Sequence, residues 1–284
     1  MRDDIIFFQN AFFLGIFMNN RLIPAQRQKQ ILDYLDAHQF LKLSAVSEEL
    51  GVSESTIRRD LDKLENDGIV ERTHGGALLS KKMRVEPAFS SSEKTYPDEK
   101  MWIGLAASKL VESGDTIFLG SGSTTAQIAN HLNLREDLKD VNIITNNISA
   151  ALSINHREIQ VYLLGGNLRI NANAVGGNFA VNNINLVYSD KAFIGADGLS
   201  FKYGCTSPVE EEAEISRLML EHTYGQTVLV ADHGKWGVVC NYPFAKLADF
   251  RVIITDQAMD DDALVELRNQ VSRVIVCSSD MTIE

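Results

Sequence analysis

The sequence predicts an α/β chain in two parts: a small N-terminal winged helix-turn-helix of α+β type, joined to a larger C-terminal α/β domain built on a parallel sheet. Three observations carry this. Residues 43–76 hold two short helical patterns broken at Gly51-Val52-Ser53 and followed by a basic hairpin signal. Residues 80–98 (SKKMRVEPAFSSSEKTYPD) are polar, with two prolines and a serine run. Beyond them, short apolar runs alternate with helical patterns almost to the end of the chain. The expected boundaries are an extension over 1–20, the winged helix-turn-helix over 21–80, a linker over 81–98 and the α/β domain over 99–284.

Each element has a local cause. Pro24 suits the first turn of a helix, and Ile31, Leu32, Leu35 and Phe40 form an apolar stripe, so the first helix is expected over 25–38. Ser44 can cap a second helix over 45–50, which Gly51 ends. Ser53 can cap a third over 54–66, with Glu54 matched to the positive end of its dipole and Gly68 stopping it. Ile69–Thr73 and Ala77–Leu79 flank His74-Gly75-Gly76 as a two-stranded wing. In the second part a helix is expected at 99–112. Strands are expected at Thr116–Leu119, Asn142–Thr145, Gln160–Leu164, Lys191–Ile194, Gln226–Val230, Arg251–Thr255 and Arg273–Cys277. Helices are expected at 124–132, 147–155, 210–222 and 260–270. Short apolar strands alternating with helices imply a largely parallel sheet covered on both faces.

Composition narrows the function. With 45% hydrophobic and 23% charged residues, the chain reads as an ordinary soluble globular protein. A net charge of −11 argues against a general polyanion binder. That charge is unevenly spread: residues 21–85 hold 11 Lys and Arg against 10 Asp and Glu, while residues 1–20 carry −1 and residues 86–284 carry −11. A near-neutral head can meet DNA phosphates only through locally clustered Arg and Lys. The three cysteines, Cys205, Cys240 and Cys277, are widely spaced, which fits buried thiols in a cytoplasmic protein and neither a disulfide framework nor a zinc site. No metal, cofactor or membrane partner is expected. The mostly apolar segment Ile5–Met18 is too short to span a bilayer comfortably, and no cleavage site follows it. A start codon placed too far upstream, with Met18 the natural first residue, is the leading expectation for it. A membrane anchor and a packing arm are the alternatives.

Two stretches carry chemistry. In the third helix Ile57, Leu61 and Leu64 face the core, so Ser55, Thr56, Arg59 and Lys63 point away from it with Arg58 at the flank. Arg can bind guanine bidentately, and hydroxyls can serve bases or phosphates. Arg72 and His74 sit in the wing, where backbone or minor-groove contacts are made. The second stretch is GSGSTT, Gly120–Thr125, between a strand and a helix. Its backbone N–H groups and the hydroxyls of Ser121, Ser123, Thr124 and Thr125 would face a helix N-terminus, where an anion is favoured. Gly122 allows close approach. This is neither a Walker loop nor a dinucleotide turn. Asn146, Gly165-Gly166, Asp197-Gly198, Glu211-Glu212 and Asp232 with Lys235 lie at strand ends, where open α/β sheets bind ligands.

These residues meet a family. SEELGVSESTIRRDLDKLENDGIVERTHGGA closely resembles the N-terminal domain of the DeoR-type bacterial transcriptional regulators. VYLLGG, DKAFIGADG, GCTSPVEEEAEISRLML and ADHGKWG resemble successive blocks of their sensor domain. The likeness covers most of residues 24–256. It implies a C-terminal domain similar in fold to ribose-5-phosphate isomerase, sensing a phosphorylated sugar that changes affinity for double-stranded operator DNA. It also implies that Ser121–Thr125 hold phosphate while Asp197, Glu211 and Lys235 reach sugar hydroxyls or a carbonyl. Gly120 departs from the acidic residue of many members, and His233-Gly234 from the usual Ser-Ser, which gives His233 a part in selectivity. The expected protein is a homo-oligomeric repressor, dimer or tetramer, of a sugar-metabolism operon.

The rival is an enzyme. Isomerisation needs a positioned base and an acid or cation on the carbonyl. Ile194 and Gly198 stand where the isomerase's DGADE-like block has an Asp and a Glu, so half the acid/base set is missing and no catalytic residue is assigned. A DNA-architectural role would need a longer basic surface than the head offers.

Overall fold

The computed structural model describes residues 24–38, 40–66, 70–73, 75–79 and 88–279. They fall into two compact units, one within Met1–Ser80 and one within Lys81–Glu284. The segment Ile5–Met18 and the wing residue His74 lie outside the described residues.

The first unit runs α1 (Pro24–His38), β1 (Phe40–Lys42), α2 (Leu43–Glu49), α3 (Glu54–Asn66), β2 (Val70–Arg72) and β3 (Gly76–Leu79). Ile57, Leu61 and Leu64 of α3 are buried against Ile31 and Leu35 of α1 and Leu43 and Val46 of α2, as their spacing requires. Gly51 turns the chain between α2 and α3 with φ +62, a conformation that favours glycine. Ser53 Oγ accepts from Thr56 N at 3.3 Å at the start of α3. Ser44 does not cap α2. The helix starts earlier, Lys42 holds the cap position without a side-chain bond, and Leu43 N donates to the Gly75 carbonyl at 3.1 Å. The wing has a strand the sequence did not suggest: β1 completes an antiparallel sheet in the order β1-β3-β2. Three residues are too few to show alternation, and Phe40 reads as the end of the helical stripe.

Arg27 is nearly buried and forms an ion pair with Asp60, its Nη2 lying 3.1 Å from Oδ1. This pair joins α1 to α3 across the core.

The second unit begins inside the expected linker. α4 (Phe89–Lys94) and α5 (Pro97–Ser108) occupy it from Phe89 onward, and Phe89 N donates to Asn171 O at 2.7 Å. The serine run that suggested a linker lies within α4. The chain continues through β4 (Thr116–Leu119), α6 (Ser123–Leu132), β5 (Val141–Thr145), α7 (Ile148–Ser153), β6 (Ile159–Leu163), β7 (Asn167–Arg169), β8 (Ala174–Gly176), α8 (Asn178–Ile184) and β9 (Ser189–Ile194). It ends with β10 (Gly198–Ser200), β11 (Gly204–Ser207), α9 (Glu210–Glu221), β12 (Thr223–Val230), β13 (Tyr242–Ala245), β14 (Val252–Asp256), α10 (Asp261–Gln270) and β15 (Arg273–Cys277). A seven-stranded sheet in the order β15-β14-β12-β9-β4-β5-β6 has every neighbour parallel. Its strands are the seven the apolar runs predicted. The hairpin β7–β8, helix α8 and the small sheet β10-β11-β13 were not predicted, because their three- or four-residue strands carry no period.

Alternate residues of each central strand feed two cores. Phe118, Ile194, Leu229 and Ile253 enter one; Ile117, Leu119, Phe193, Val230 and Ile254 enter the other. The three thiols are buried and unbridged. Burial pushes Cys277 up to about 12 and Cys205 higher still, so neither is a thiolate at neutral pH.

Removing one partner of a buried pair leaves a charge uncompensated. Arg27→Met is therefore expected to cost the first unit ~3 kcal/mol. Calorimetry of the full chain should show an early transition for that unit and an unmoved one for the α/β unit.

Candidate functional site

The crevice is built from the ends of the central strands. β4 is the first strand of its sheet. The chain adds β5 and β6 on one side of it and β9, β12, β14 and β15 on the other. Strand order thus reverses between β4 and β9, and the connections leaving those two strands diverge. In open α/β sheets such a point opens a ligand crevice at the carboxyl ends of the strands.

The loop after β4 lines it. Gly120 N donates to Phe193 O at 2.9 Å, fixing the loop to β9. Gly122 takes φ +114 at the N-cap of α6, a value that needs glycine. Ser123, Thr124 and Thr125 open the helix with 7%, 7% and 0% exposure. Thr125 Oγ1 donates to Gly122 O at 2.9 Å. Among the described residues the hydroxyls of Ser123 and Thr124 have no side-chain hydrogen-bond partner. Hydroxyls and backbone N–H groups at a helix N-terminus that lines a cavity suit an oxyanion.

The facing wall comes from Gly195–Asp197 after β9, Ser207 at the end of β11, Ala231 after β12, and Lys235. Lys235 Nζ stands 3.8 Å from Asp197 Oδ1, and Ser207 Oγ donates to Asp197 Oδ2 at 3.4 Å. Phe89 and Ser92 of α4, and Glu212 and Ser216 of α9, close the sides. The empty space, part of it open to solvent, is about 710 Å³.

The structure brings together Ser121, Gly122, Ser123, Thr124, Thr125, Asp197 and Lys235. It does not bring Asn146, Gly165, Gly166, Gly198 or Glu211 to the crevice. Asn146 is buried at the end of β5 and donates to Val175 O at 3.3 Å. Gly165 and Gly166 are exposed in the turn between β6 and β7. Gly198 opens β10, and its carbonyl accepts from Thr206 Oγ1. Glu211 turns toward β8, where a Cβ on Gly176 would lie 3.0 Å from its Oε2. Two neighbours take over. Asn147 braces the loop: its Nδ2 donates to Gly122 O at 2.8 Å and Thr125 Oγ1 at 3.1 Å, and its Oδ1 caps α7. Glu212 replaces Glu211 on the wall. Helical phase is the signal that finds it, because Ser216 lies four residues on and shares its face.

In the first unit Ser55, Arg58, Arg59 and Lys63 are exposed on α3 and Thr56 is half-buried. Arg58 approaches Glu54 at 3.6 Å, one turn back. Arg72 is engaged within the unit. It pairs with Asp62, donates to Arg58 O at 3.3 Å, and its backbone N donates to Glu65 at 3.2 Å. It lashes the wing strand to α3.

Comparison with known proteins agrees with both halves. Residues 27–83 match the DeoR-like helix-turn-helix domain, and residues 95–257 match the DeoR C terminal sensor domain. The chain belongs to the DeoR family. It is 34% identical over 253 residues to the HTH-type transcriptional repressor GlcR of Bacillus subtilis (strain 168), covering 88% of this chain and 95% of that protein. It is 36% identical over 207 residues to the lactose phosphotransferase system repressor of Lactococcus lactis subsp. lactis, covering 72% of this chain and 80% of that protein. Among solved structures it is similar to ribose 5-phosphate isomerase A from Methanocaldococcus jannaschii, with 23% identity, 50% of this chain and 55% of that chain covered, and a TM-score of 0.37. Among the described residues no helix is long and apolar enough to cross a membrane.

Behind the crevice of this DeoR-family regulator lies a buried polar network. Lys100 of α5 and Asp232 are 3% and 2% exposed and stand 3.8 Å apart. Lys100 Nζ also donates to the carbonyls of Ser92 and Thr95. Burial lowers the lysine pKa despite the pull of Asp232. Asp232 Oδ1 accepts from Gly234 N at 3.0 Å, setting the short turn that carries Lys235. His233 does not line the crevice. Its Nδ1 sits 2.9 Å from Asp256 Oδ1, and its ring centroid lies 4.3 Å from that of Tyr96. Burial disfavours the charged imidazole, but the hydrogen bond and charge of Asp256, helped by Asp232 and Glu99, outweigh it and raise the pKa. A raised histidine contributes stability that is complete below its ordinary value of 6.5 and is lost as pH rises through the folded-state value. The melting temperature of the native chain should therefore exceed that of His233→Asn most in acid, with the gap closing as pH is raised; a pH-independent gap would assign the loss to packing alone.

Proposed function

We propose that this chain is a sequence-specific repressor of a sugar-metabolism operon, and that a phosphorylated sugar bound in the crevice sets its affinity for double-stranded operator DNA. The observation that carries this is the loop at Ser121–Thr125. A helix N-terminus, Ser123, Thr124 and a facing Lys235 line one cavity at the switch point of the sheet. That donor set suits a phosphate, and the hydroxyls and carboxylate of the opposite wall suit the body of a sugar. The names of the lactose phosphotransferase system repressor and of the repressor GlcR accord with such a role.

In the first unit the exposed face of α3 presents Ser55, Thr56, Arg58, Arg59 and Lys63 to the major groove, and Arg72 holds the wing against that helix. His74 is assigned to the wing's contact with DNA from its place in the sequence. One short helix reads few base pairs, so a homo-oligomer pairing two or more heads on repeated half-sites supplies the remaining affinity. The working compartment is the cytoplasm, where sugar phosphates and operators meet. Catalysis is disfavoured because Ile194 and Gly198 stand where the isomerase pattern has an Asp and a Glu, so two of its carboxylates are missing.

Effector control requires that the ligand bind one arrangement of the heads better than another, typically by about 1–3 kcal/mol. Phe89 and Ser92 line the crevice from α4, the first described helix after residue 80. A ligand there bears on the segment that leads back to the head.

Two substitutions separate the functions. Arg59→Ala should weaken operator binding by about 1–3 kcal/mol and leave sugar-phosphate binding intact. Ser123→Ala should keep operator binding and abolish the response to sugar phosphates. Operator titration by fluorescence anisotropy, with and without a panel of sugar phosphates, reads both. Equal loss of both activities in both variants would refute the two-site division.

A further inference from the structure

Tyr96 has a backbone that its residue type disfavours. It stands between α4 and α5 with φ 52 and ψ 53. That left-handed conformation is an outlier for a bulky residue, and Tyr96 also precedes Pro97, a place that favours extended backbone. Such strain persists only where the surroundings hold it. Lys100 does so here. Its backbone N donates to Tyr96 O at 3.2 Å, and its buried Nζ donates to the Thr95 carbonyl.

The strained backbone delivers the phenol ring to the short turn His233–Lys235. The ring centroid lies 4.3 Å from that of His233. It covers Gly234 so closely that a Cβ there would stand 2.5 Å from Tyr96 Cε2 and 3.2 Å from Cδ2. Gly234, where the sequence departs from Ser-Ser, is thus what makes room for the ring. The turn is also gripped by Asp256, whose Oδ2 accepts from His233 N at 2.8 Å, and by Asp232, whose Oδ1 accepts from Gly234 N. Lys235 follows directly and lines the crevice, whereas Tyr96 does not.

We propose that Tyr96 is a positioning residue of the effector site: its ring, seated on Gly234, sets the turn that aims Lys235 into the crevice. This rests on the reading that Lys235 meets the anion of the effector. A lysine charge rides on a flexible four-carbon stem, so it is placed only as well as the backbone that carries it. A single 3₁₀ turn has poor hydrogen-bond geometry of its own, so contacts from outside fix its orientation. Tyr96 acts through Lys235 and touches no ligand itself.

Calorimetric titration of the full chain with inorganic phosphate tests this. Tyr96→Asn removes the ring, and Asn tolerates the left-handed backbone, so the start of α5 is kept. Its affinity should fall by about threefold or more, whereas Tyr96→Phe, which keeps the ring, should retain the native affinity. Gly234→Ala should also lower affinity by displacing the ring, and should add little in the Tyr96→Asn background. The deciding measurement is the coupling to Lys235. Lys235→Met should lower affinity, and in that background Tyr96→Asn should cost nothing more. A loss from Tyr96→Asn that persists in full beside Lys235→Met, or no loss in the otherwise native chain, would overturn the proposal and leave the role of Lys235 standing. A native chain that binds no inorganic phosphate, or a Lys235→Met variant that binds it as the native chain does, would bring down the lysine–anion reading and this proposal with it.

Discussion

Much of this molecule depends on the reversal of strand order between β4 and β9. Seven parallel strands can be covered on both faces only if the chain winds outward in two directions from one strand. Where the directions part, the backbone cannot close over the strand ends, and a crevice follows from topology alone. The loop leaving β4 must turn sharply into α6, which explains why Gly122 sits at φ +114. That turn brings Ser123 and Thr124 to the wall of the crevice.

The layer behind the crevice accounts for its rigidity. Asn147 ties the Gly122 carbonyl to α7, and the pair Lys100–Asp232 fixes the turn carrying Lys235. Buried ion pairs add little net stability over an apolar replacement, but breaking one is expensive. Their contribution here is positional: each removes freedom from a group that faces the cavity. His233 belongs to this layer too, held by Asp256 against Tyr96. The carbonyl of Ser92 accepts from Lys100 while Ser92 itself lines the crevice. The wall nearest in sequence to the first unit is thus fastened to the same buried lysine that fixes the Lys235 turn.

What could be read in advance followed from short-range chemistry. The stripe Ile57, Leu61, Leu64 located α3 and its outward face. Seven apolar runs located seven strands. The Gly-Ser-Thr sequence after β4 located a loop that lines the crevice. Errors arose where the deciding contact is distant in sequence. The serine-rich segment looked like a linker, yet from Phe89 it is helix, tied to Asn171 eighty-two residues away by one backbone bond. Ser44 looked like a cap, but the Gly75 carbonyl, brought in by the wing, receives the Leu43 N–H instead. Adjacent pairs were the hardest to resolve. Asn146 and Asn147, or Glu211 and Glu212, have the same chemistry and differ only in the direction the backbone gives them.

The sequence by itself determined the two-part architecture, the helix-turn-helix, the parallel sheet and the Gly-Ser-Thr turn after its first strand, because each is encoded by periodicity or by residues adjacent along the chain. Only the tertiary structure decided which carboxylate faces the cavity, that Arg72 serves the wing and helix together, and that Lys100 and Asp232 pair beneath Lys235. Those outcomes depend on backbone direction and on partners separated by tens to more than a hundred residues, and no local pattern specifies such distances.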